Sequence, residues 1–478
     1  MIKIYNTLSR QKEEFSPSTT FEASKVVLGK PAESKKVKMF VCGPTVYDYS
    51  HIGHARTYVA YDVIAKYLRY RKYDVFYLQN ITDIDDKIIE RAKQKMINPA
   101  DLAQEYKEAY YEDMKKLGIT SVSEYAPATR YIPEIISQVQ RLIEKGAAYM
   151  IKNEGYYFDL TKFPDYGKLS GRTVEAAEDA TSRIDESTKK KNKGDFVLWR
   201  FSKPEEPGWD SDLGYGRPGW HIEDTAITEK HFGSQYDLHG GARDLIFPHH
   251  EAEIAQMESI SGQKPFVKYW AHSGFLTING QKMSKSLGNF VTIRDILEKY
   301  PPETLRLMFL MTHYRSPVDY TEENLKQAEA ATNRLAEFKN RLKSAQISLS
   351  SSTTKLDLTG KTKENFEKEM DDDFNTPKAI AAIFDFAREV NPLIDEGKIS
   401  SDDAKKSLEM LENFNRVLGI IPEKAEEASP KVQELVSLRE AARQVKDFAR
   451  SDELREQIKN LGYEVDDTAY GPLVKPLK

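Results

Sequence analysis

The stretch KKVKMFVCGPTVYDYSHIGHARTYVAYDVIAKYLRYRKYDVFYLQ, Lys35 to Gln79, changes its hydrophobic period twice. KKVKMFVCG has the short apolar run of a buried strand, HARTYVAYDVIAKYLRYR has helical spacing, and YDVFYLQ is a second β-type run. A strand, a helix and a strand in that order predict a parallel-sheet unit of Rossmann type, although the usual GxGxxG is absent. Ligands of such sheets bind beyond the carboxyl ends of the strands. Cys42 and the loop that follows it occupy that place. HIGH, His51 to His54, falls in the same loop and opens the helix. The next segment, NITDIDDKIIERAKQK, begins with acidic residues that suit a helix N-terminus.

Outward from this unit, 478 residues suggest roughly two to four domains. Hydrophobic residues at 40% and charged residues at 30% are those of a globular chain. No apolar run reaches the roughly 20 residues that a membrane span needs. The first residues, MIKIYNTLSRQKEEF, have no signal-peptide stretch, so the expectation is a cytoplasmic protein without a membrane. Cys42 is the single cysteine, which excludes an internal disulfide and leaves it either inert packing or chemically employed. A net charge of −5 decides nothing about nucleic acid, because binding depends on local basic faces.

Between about Tyr131 and Gly216 the pattern turns irregular and includes the polar run EDATSRIDESTKKKNKGD, so an insertion into the nucleotide-binding fold is expected there. Leu325, Ala328, Leu335, Phe338 and Leu342 have the spacing of an amphipathic helix. The linker SLSSSTTK follows. TPKAIAAIFDFAREV is the next helix, with Thr376 as N-cap and Pro377 at its first position, and DAKKSLEMLENFNRVLG is another, stopped by Gly419. The C-terminal segment reads as a basic helix ending in a strand. The expected fold class is α/β, a Rossmann-like parallel-sheet catalytic domain with an insertion, followed by a mainly helical region.

HIGH alone is also compatible with ordinary capping. At a helix N-terminus, unpaired N–H groups and partial positive charge favour phosphate. Gly53 would admit a flat base, and His51 and His54 could donate to phosphate oxygens as charge builds at the α-phosphorus. A second motif, GQKMSKSLGNF, stands more than two hundred residues later. Its Lys282 and Lys285 flank Met283 and Ser284 on a glycine-bounded loop that could close over a triphosphate. In FPHHEAEIAQ, His249 and Glu253 are four apart on a helix predicted to begin after Pro248, so they share a face and could share a metal ion or simply a hydrogen bond.

The two motifs in this order resemble those of class I aminoacyl-tRNA synthetases. The words NTLSRQKEEF, CGPTVYD, HIGHARTYVAYDV, NITDIDDKII, GRPGWHIE, HGGARDLIFPHHEAEIAQ and MSKSLGNF resemble the cysteinyl-tRNA synthetases within that class, over nearly the whole chain. The resemblance implies one Zn2+ held by residues matching Cys42, His249 and Glu253 plus a second cysteine. Asp224 stands where that cysteine is expected. A carboxylate is a chemically reasonable replacement, but a harder one, which predicts weaker zinc retention and a more Lewis-acidic ion. Zinc would solve a selection problem, because steric fit separates close analogues such as cysteine and serine by only about 10- to 200-fold.

The resemblance further implies that Thr82, Trp220 and His239 line the amino-acid pocket with Cys42, and that Asp244 holds the ribose of ATP beside His51, Gly53, His54 and Lys285. His51, His54, Lys282 and Lys285 are the implied catalytic set, acting on Mg2+-ATP. L-cysteine, ATP and tRNA(Cys) are the implied partners of a monomer. The domains expected are 1–134, first half of the catalytic domain; 135–215, connective insertion; 216–264, second half with metal ligands; 265–345, stem-contact region with the KMSKS loop; 355–425, helical anticodon-binding bundle; and 426–478, a small mixed segment. Lys189 to Lys193, and Arg439, Arg443, Lys446 and Arg450 on one helix face, are candidate tRNA contacts, with solvated charge as the alternative. Two rivals are a cysteine:amino-sugar ligase on the same core, whose kind is shorter, and a non-catalytic tRNA-binding paralogue, for which only Asp224 speaks.

Overall fold

The computed structural model describes residues 1–17, 35–172, 187–283, 288–348, 359–423, 429–468 and 471–476. Strands β1 (Lys3–Asn6) and β2 (Gln11–Glu14) form an antiparallel pair. The predicted unit follows as β3 (Lys36–Val41), α1 (Ile52–Tyr70) and β4 (Asp74–Ile81). Helix α2 (Asp86–Lys95) is capped by Asp85, whose carboxylate accepts from Lys87 N at 2.8 Å. After α3 (Pro99–Lys116) comes β5 (Glu124–Pro127).

Where the sequence looked irregular, the chain builds α4 (Ile132–Glu144) and a four-stranded antiparallel sheet of β6 (Ala148–Ile151), β7 (Gly155–Phe158), β8 (Phe196–Phe201) and β9 (Gly216–Pro218). Its strands are short and a register shift falls at Tyr156/Tyr157, which breaks the alternation a sequence reading relies on. Phe158, Phe196, Leu198 and Trp199 of this insertion bury into the same apolar cluster as Phe40 and Leu78, so it shares the core of the parallel sheet.

The second half returns to that sheet through α5 (Ile222–Phe232), β10 (Tyr236–Ala242), α6 (His249–Ser261) and β11 (Val267–Ser273). The strand order is β11-β10-β3-β4-β5, every pair parallel. From β3 the chain first goes to one side, to β4, and later to the other, to β10. The crevice between those connections is where an open parallel sheet receives a ligand. Tyr61 of α1 fixes the contact with β10: its hydroxyl accepts from Gly241 N at 2.8 Å, and a Cβ at Gly240 would fall 2.4 Å from its ring.

Strands β12 (Leu276–Ile278), β13 (Gln281–Lys282) and β14 (Val318–Tyr320) make a small sheet, with α7 (Ile293–Leu297) and α8 (Pro302–Leu310) between them in sequence. Helices α1 and α8 are locked by a buried pair, Arg306 Nη2 to Asp62 Oδ2 at 2.8 Å. Burial alone would push the Asp62 carboxyl up, but Arg306 and Lys66 carry it below its ordinary pKa.

The chain divides into two compact units, Met1–Leu325 with Met370–Thr376, and Lys326–Glu369 with Pro377–Lys478. In the first, Asp373 accepts from Tyr5 N, the Tyr314 hydroxyl and Arg315 Nε, which gives the DDDFNTPKA run a structural task. Along α9 (Glu322–Ser348), Leu325, Ala328, Leu335, Phe338 and Leu342 are all buried, as their spacing predicts.

The second unit also contains most of α10 (Gly360–Asp371), α11 (Thr376–Asp395) and α12 (Ser401–Leu418), which ends on Gly419 in the left-handed region. Thr376 is the first residue of α11 and its hydroxyl donates to Leu310 O at 2.8 Å. Most of SLSSSTTK lies outside the described residues. The expected single basic helix is two, α13 (Pro430–Gln444) and α14 (Phe448–Asn460), followed by the hairpin of β15 (Tyr463–Thr468) and β16 (Gly471–Pro476). Among the described residues no helix is long and apolar enough to cross a membrane.

Candidate active site and metal centre

Cys42 is the first residue past β3, and its N–H donates to Gly240 O at 3.0 Å, so the backbone holds it against β10. Gly43 follows because a Cβ there would lie 1.7 Å from the carbonyl oxygen of Asn80. Gly43→Ala is therefore expected to lower stability by at least about 1–3 kcal/mol, the usual cost of overpacking. Chemical denaturation would register it, and an unchanged midpoint would refute the close approach.

Asp224 in the first turn of α5, His249 at the start of α6 and Glu253 one turn on converge on Cys42, and these four are 4% exposed or less. Asp224 Oδ2 is 3.4 Å from Cys42 Sγ and 2.9 Å from His249 Nε2, while His249 Nε2 is 3.1 Å from Glu253 Oε1. Glu253 Oε1 is 4.0 Å from Cys42 Sγ. Ligands of a tetrahedral zinc with bonds of about 2.0–2.3 Å stand roughly 3.3–3.7 Å apart, so modest adjustment accommodates an ion.

The electrostatics agree with that fit. Burial raises the Cys42 thiol well above its ordinary pKa, and Asp224 and Glu253 raise it further. Burial likewise raises Glu253, aided by Asp224 and Glu223. Asp224 Oδ1 and Glu253 Oε2 are buried without hydrogen bonds. A divalent cation among them would satisfy both oxygens and favour the thiolate.

Four residues that the sequence reading left out complete this cluster. His250 Nε2 lies 3.1 Å from Cys42 Sγ, and its Nδ1 is 2.8 Å from His272 Nε2. His221 Nδ1 meets His249 Nδ1 at 2.8 Å, and Glu223 is buried beside Asp224. Adjacent histidines in HHEAEIAQ were the available signal. Successive helical residues point about 100° apart, which suggests that only one faces the site. Here α6 starts on top of the cluster, and both reach it.

The pocket residues implied by resemblance lie nearby. His239 sits inside β10, fully buried, with Nε2 3.3 Å from Cys42 Sγ and Nδ1 2.6 Å from the Tyr236 hydroxyl; it is a strand residue, not one at a turn. Trp220 is half-buried with its ring 4.5 Å from that of His249. Thr82 donates to Glu223 and does not cap α2.

At the nucleotide loop, His51 is the N-cap of α1 and shares a reciprocal box with His54. Each ring Nδ1 accepts the other residue's backbone N–H at 3.3 Å, and the rings stack 3.8 Å apart. Burial and His51 hold His54 well below the ordinary imidazole pKa, so it is neutral. An accepting Nδ1 places the ring proton on Nε2, a donor suited to phosphate oxygen. A Cβ at Gly53 would lie 2.9 Å from His51 Nδ1 and 3.6 Å from Met283 Cε, which brings the two motifs together. Ile52 N donates to Val291 O, and Ile293 N to Ser50 O. Lys282 is exposed on β13, Asp244 is exposed in the short 3-10 turn Arg243–Ile246, and Lys285 lies outside the described residues.

The basic runs are differently placed. Lys189 pairs with Glu154 and Lys191 with Asp159. Arg439 is buried and paired with both oxygens of Asp467, and Lys446 and Arg450 lie beyond the end of α13. The single four-residue basic face expected from sequence is therefore not formed.

Residues 28–330 match the family described as tRNA synthetases class I (C) catalytic domain, and residues 365–422 match the DALR domain. The chain is 42% identical to cysteine–tRNA ligase of Thermococcus onnurineus (strain NA1), over 99% of each. The chain belongs to the cysteine–tRNA ligase family. A second cysteine–tRNA ligase, from Carboxydothermus hydrogenoformans, is 42% identical over 98% of this chain and 99% of its own. A solved Mycobacterium tuberculosis methionyl-tRNA synthetase in complex with methionyl-adenylate is 16% identical, with a TM-score of 0.61 over 80% of this chain and 92% of that one. That likeness concerns the class I fold, which cysteine–tRNA ligases share.

Proposed function

We propose that the chain activates L-cysteine with Mg2+-ATP to cysteinyl-adenylate and pyrophosphate, then passes the cysteinyl group to the terminal adenosine of tRNA(Cys). The observation that carries this reading is the meeting of a buried Cys/Asp/His/Glu cluster with the HIGH loop at the carboxyl ends of one parallel sheet. Adjacent pockets let the amino-acid carboxylate meet the α-phosphorus, and holding reactants so removes much of the entropic barrier. His51 and His54 donate from Nε2 to phosphate oxygens, Gly53 admits the base, and Asp244 binds the ribose. Lys282 and Lys285 neutralise the departing pyrophosphate.

Cys42, Asp224, His249 and Glu253 would hold a Zn2+, and Thr82, Trp220 and His239 would line the rest of the amino-acid pocket. When bound, that ion supplies a thiol-seeking Lewis acid, which distinguishes cysteine from serine. Asp224 is expected to weaken retention. Metal analysis of protein purified without added zinc should find less than one ion per chain, and a tightly held stoichiometric ion would refute this.

The region expected over 355–425, within which the DALR match falls, is the proposed contact with the anticodon arm. It also speaks against the shorter amino-sugar ligase. The intact HIGH and KMSKS motifs oppose a non-catalytic paralogue, which has no use for phosphate chemistry. A cytoplasmic monomer belongs to the same reading. Cysteine-dependent ATP/pyrophosphate exchange, repeated with serine and with a chelator, tests it: exchange with cysteine alone, depressed by the chelator, is expected. Equal exchange with serine would remove the amino-acid assignment.

A further inference from the structure

Asp113 of α3 is a carboxyl that the adenylation scheme leaves idle. It is fully buried, neither oxygen has a hydrogen bond, and burial raises it to about 6 although Arg294 pulls it down. That arginine stands in the first turn of α7, its Nε 2.8 Å from Asp113 Oδ1. From Nη2 the same guanidinium donates to Ala109 O at 3.1 Å and to Glu112 Oε2 at 3.0 Å. It also covers the ring of Tyr49, with Cζ 5.0 Å from the centroid, and Tyr49 in turn meets Tyr106 of α3 edge-on at 5.1 Å. A buried ion pair of this kind adds little net stability, because desolvation offsets the attraction. What it fixes is position: a planar fork held by α3 and stacked on an aromatic ring leaves the arginine few other places to be.

Arg294 follows directly on a short ladder. Ile52 N donates to Val291 O at 3.1 Å, Ile293 N donates to Ser50 O at 2.9 Å, and His51 pairs antiparallel with Thr292 between them. Phe290 stands edge-on to the His51 ring at 5.5 Å. The backbone on both sides of His51 is therefore fastened to residues 291–293, and Arg294 fastens those residues to α3. His51 is placed from outside its own helix. Misplacing a reacting group by about 1 Å can cost on the order of 10²-fold in rate.

We propose that Arg294, held between Tyr49 and the Ala109 to Asp113 turn of α3, is a positioning residue for adenylate formation, fixing the 291–293 segment against Ser50 to Ile52 and so setting His51 at the phosphates of ATP. The inference rests on the reading that His51 meets those phosphates.

The test is cysteine-dependent pyrophosphate exchange by the full-length chain, with ATP and cysteine varied separately. Arg294→Lys keeps the charge but loses the planar fork, and Arg294→Met loses both. Each should lower kcat/KM for ATP at least tenfold while KM for cysteine stays within about threefold. Asp113→Asn should lower kcat/KM for ATP at least threefold, and combining it with Arg294→Met should add less than twofold to the loss, as expected of residues acting as one unit. If near-UV circular dichroism shows that the Arg294 variants are misfolded, Tyr49→Leu, which removes only the stacked ring, must show the same split. Near-normal kcat/KM for ATP in the folded variants, or equal losses toward ATP and cysteine, would overturn the positioning role. His51→Ala separates this from the underlying reading: near-normal exchange in that variant would remove His51 from the phosphates, and the role of Arg294 with it.

Discussion

Cys42→Ser is expected to reduce cysteine-dependent pyrophosphate exchange by more than the roughly 10- to 100-fold that loss of an outer-shell partner of a metal site costs. The substitution is nearly isosteric. A serine hydroxyl could donate to Asp224 Oδ2, which lies 3.4 Å from the present sulfur, so the core around β3 should survive. The sulfur, however, is the one soft donor of the buried Cys42, Asp224, His249 and Glu253 cluster. Metal content, exchange rate and thermal midpoint measured together separate the possibilities. Retained metal and near-normal exchange in a well-folded Cys42→Ser protein would show that the sulfur is only packing.

The second large effect is expected from Lys285→Ala. The side chain lies outside the described residues, but Met283 two positions earlier reaches the Gly53 loop, its Cε 3.6 Å from where a Cβ would stand. A cation delivered there would meet the triphosphate as pyrophosphate leaves. Adenylate formation should fall well over tenfold, on the scale of the roughly 10²- to 10³-fold lost when one oxyanion donor is removed. Cysteine affinity and global stability should change little, since the amino-acid pocket is built from other segments. Near-normal exchange would contradict the assigned role.

These expectations draw on different amounts of legible sequence. The strand, helix and strand from Lys36 to Ile81 could be read directly, because a buried parallel strand and a two-sided buried helix leave dense apolar patterns over many residues. The insertion's antiparallel sheet could not, since strands as short as Gly216–Pro218 lie below the length at which alternation is detectable. The turn at Val445 to Asp447 was also hidden: Lys446 adopts φ 61, and neither glycine nor proline marks the break.

The candidate site divides in the same way. Local words sufficed to nominate Cys42, His249, Glu253 and the HIGH loop. His250 was passed over because His249 and Glu253 define one face of the predicted helix, and a helical wheel does not reveal what sits under its first turn; His221 and Glu223 stand at the start of α5, in a stretch where no helix was predicted.

By itself, then, the sequence determined the kinds of groups present: one thiol, the HIGH and KMSKS motifs, a histidine and a carboxylate one helical turn apart, and an aspartate where the resemblance led one to expect a second cysteine. Only the tertiary structure decided which of these share a space. Parallel strands far apart in sequence end at the same edge of the sheet, so Cys42 meets groups some two hundred residues away. Which nitrogen and which oxygen face that sulfur is set by the stacking of α5 and α6 over β3 and β10, a consequence of packing that no local pattern encodes.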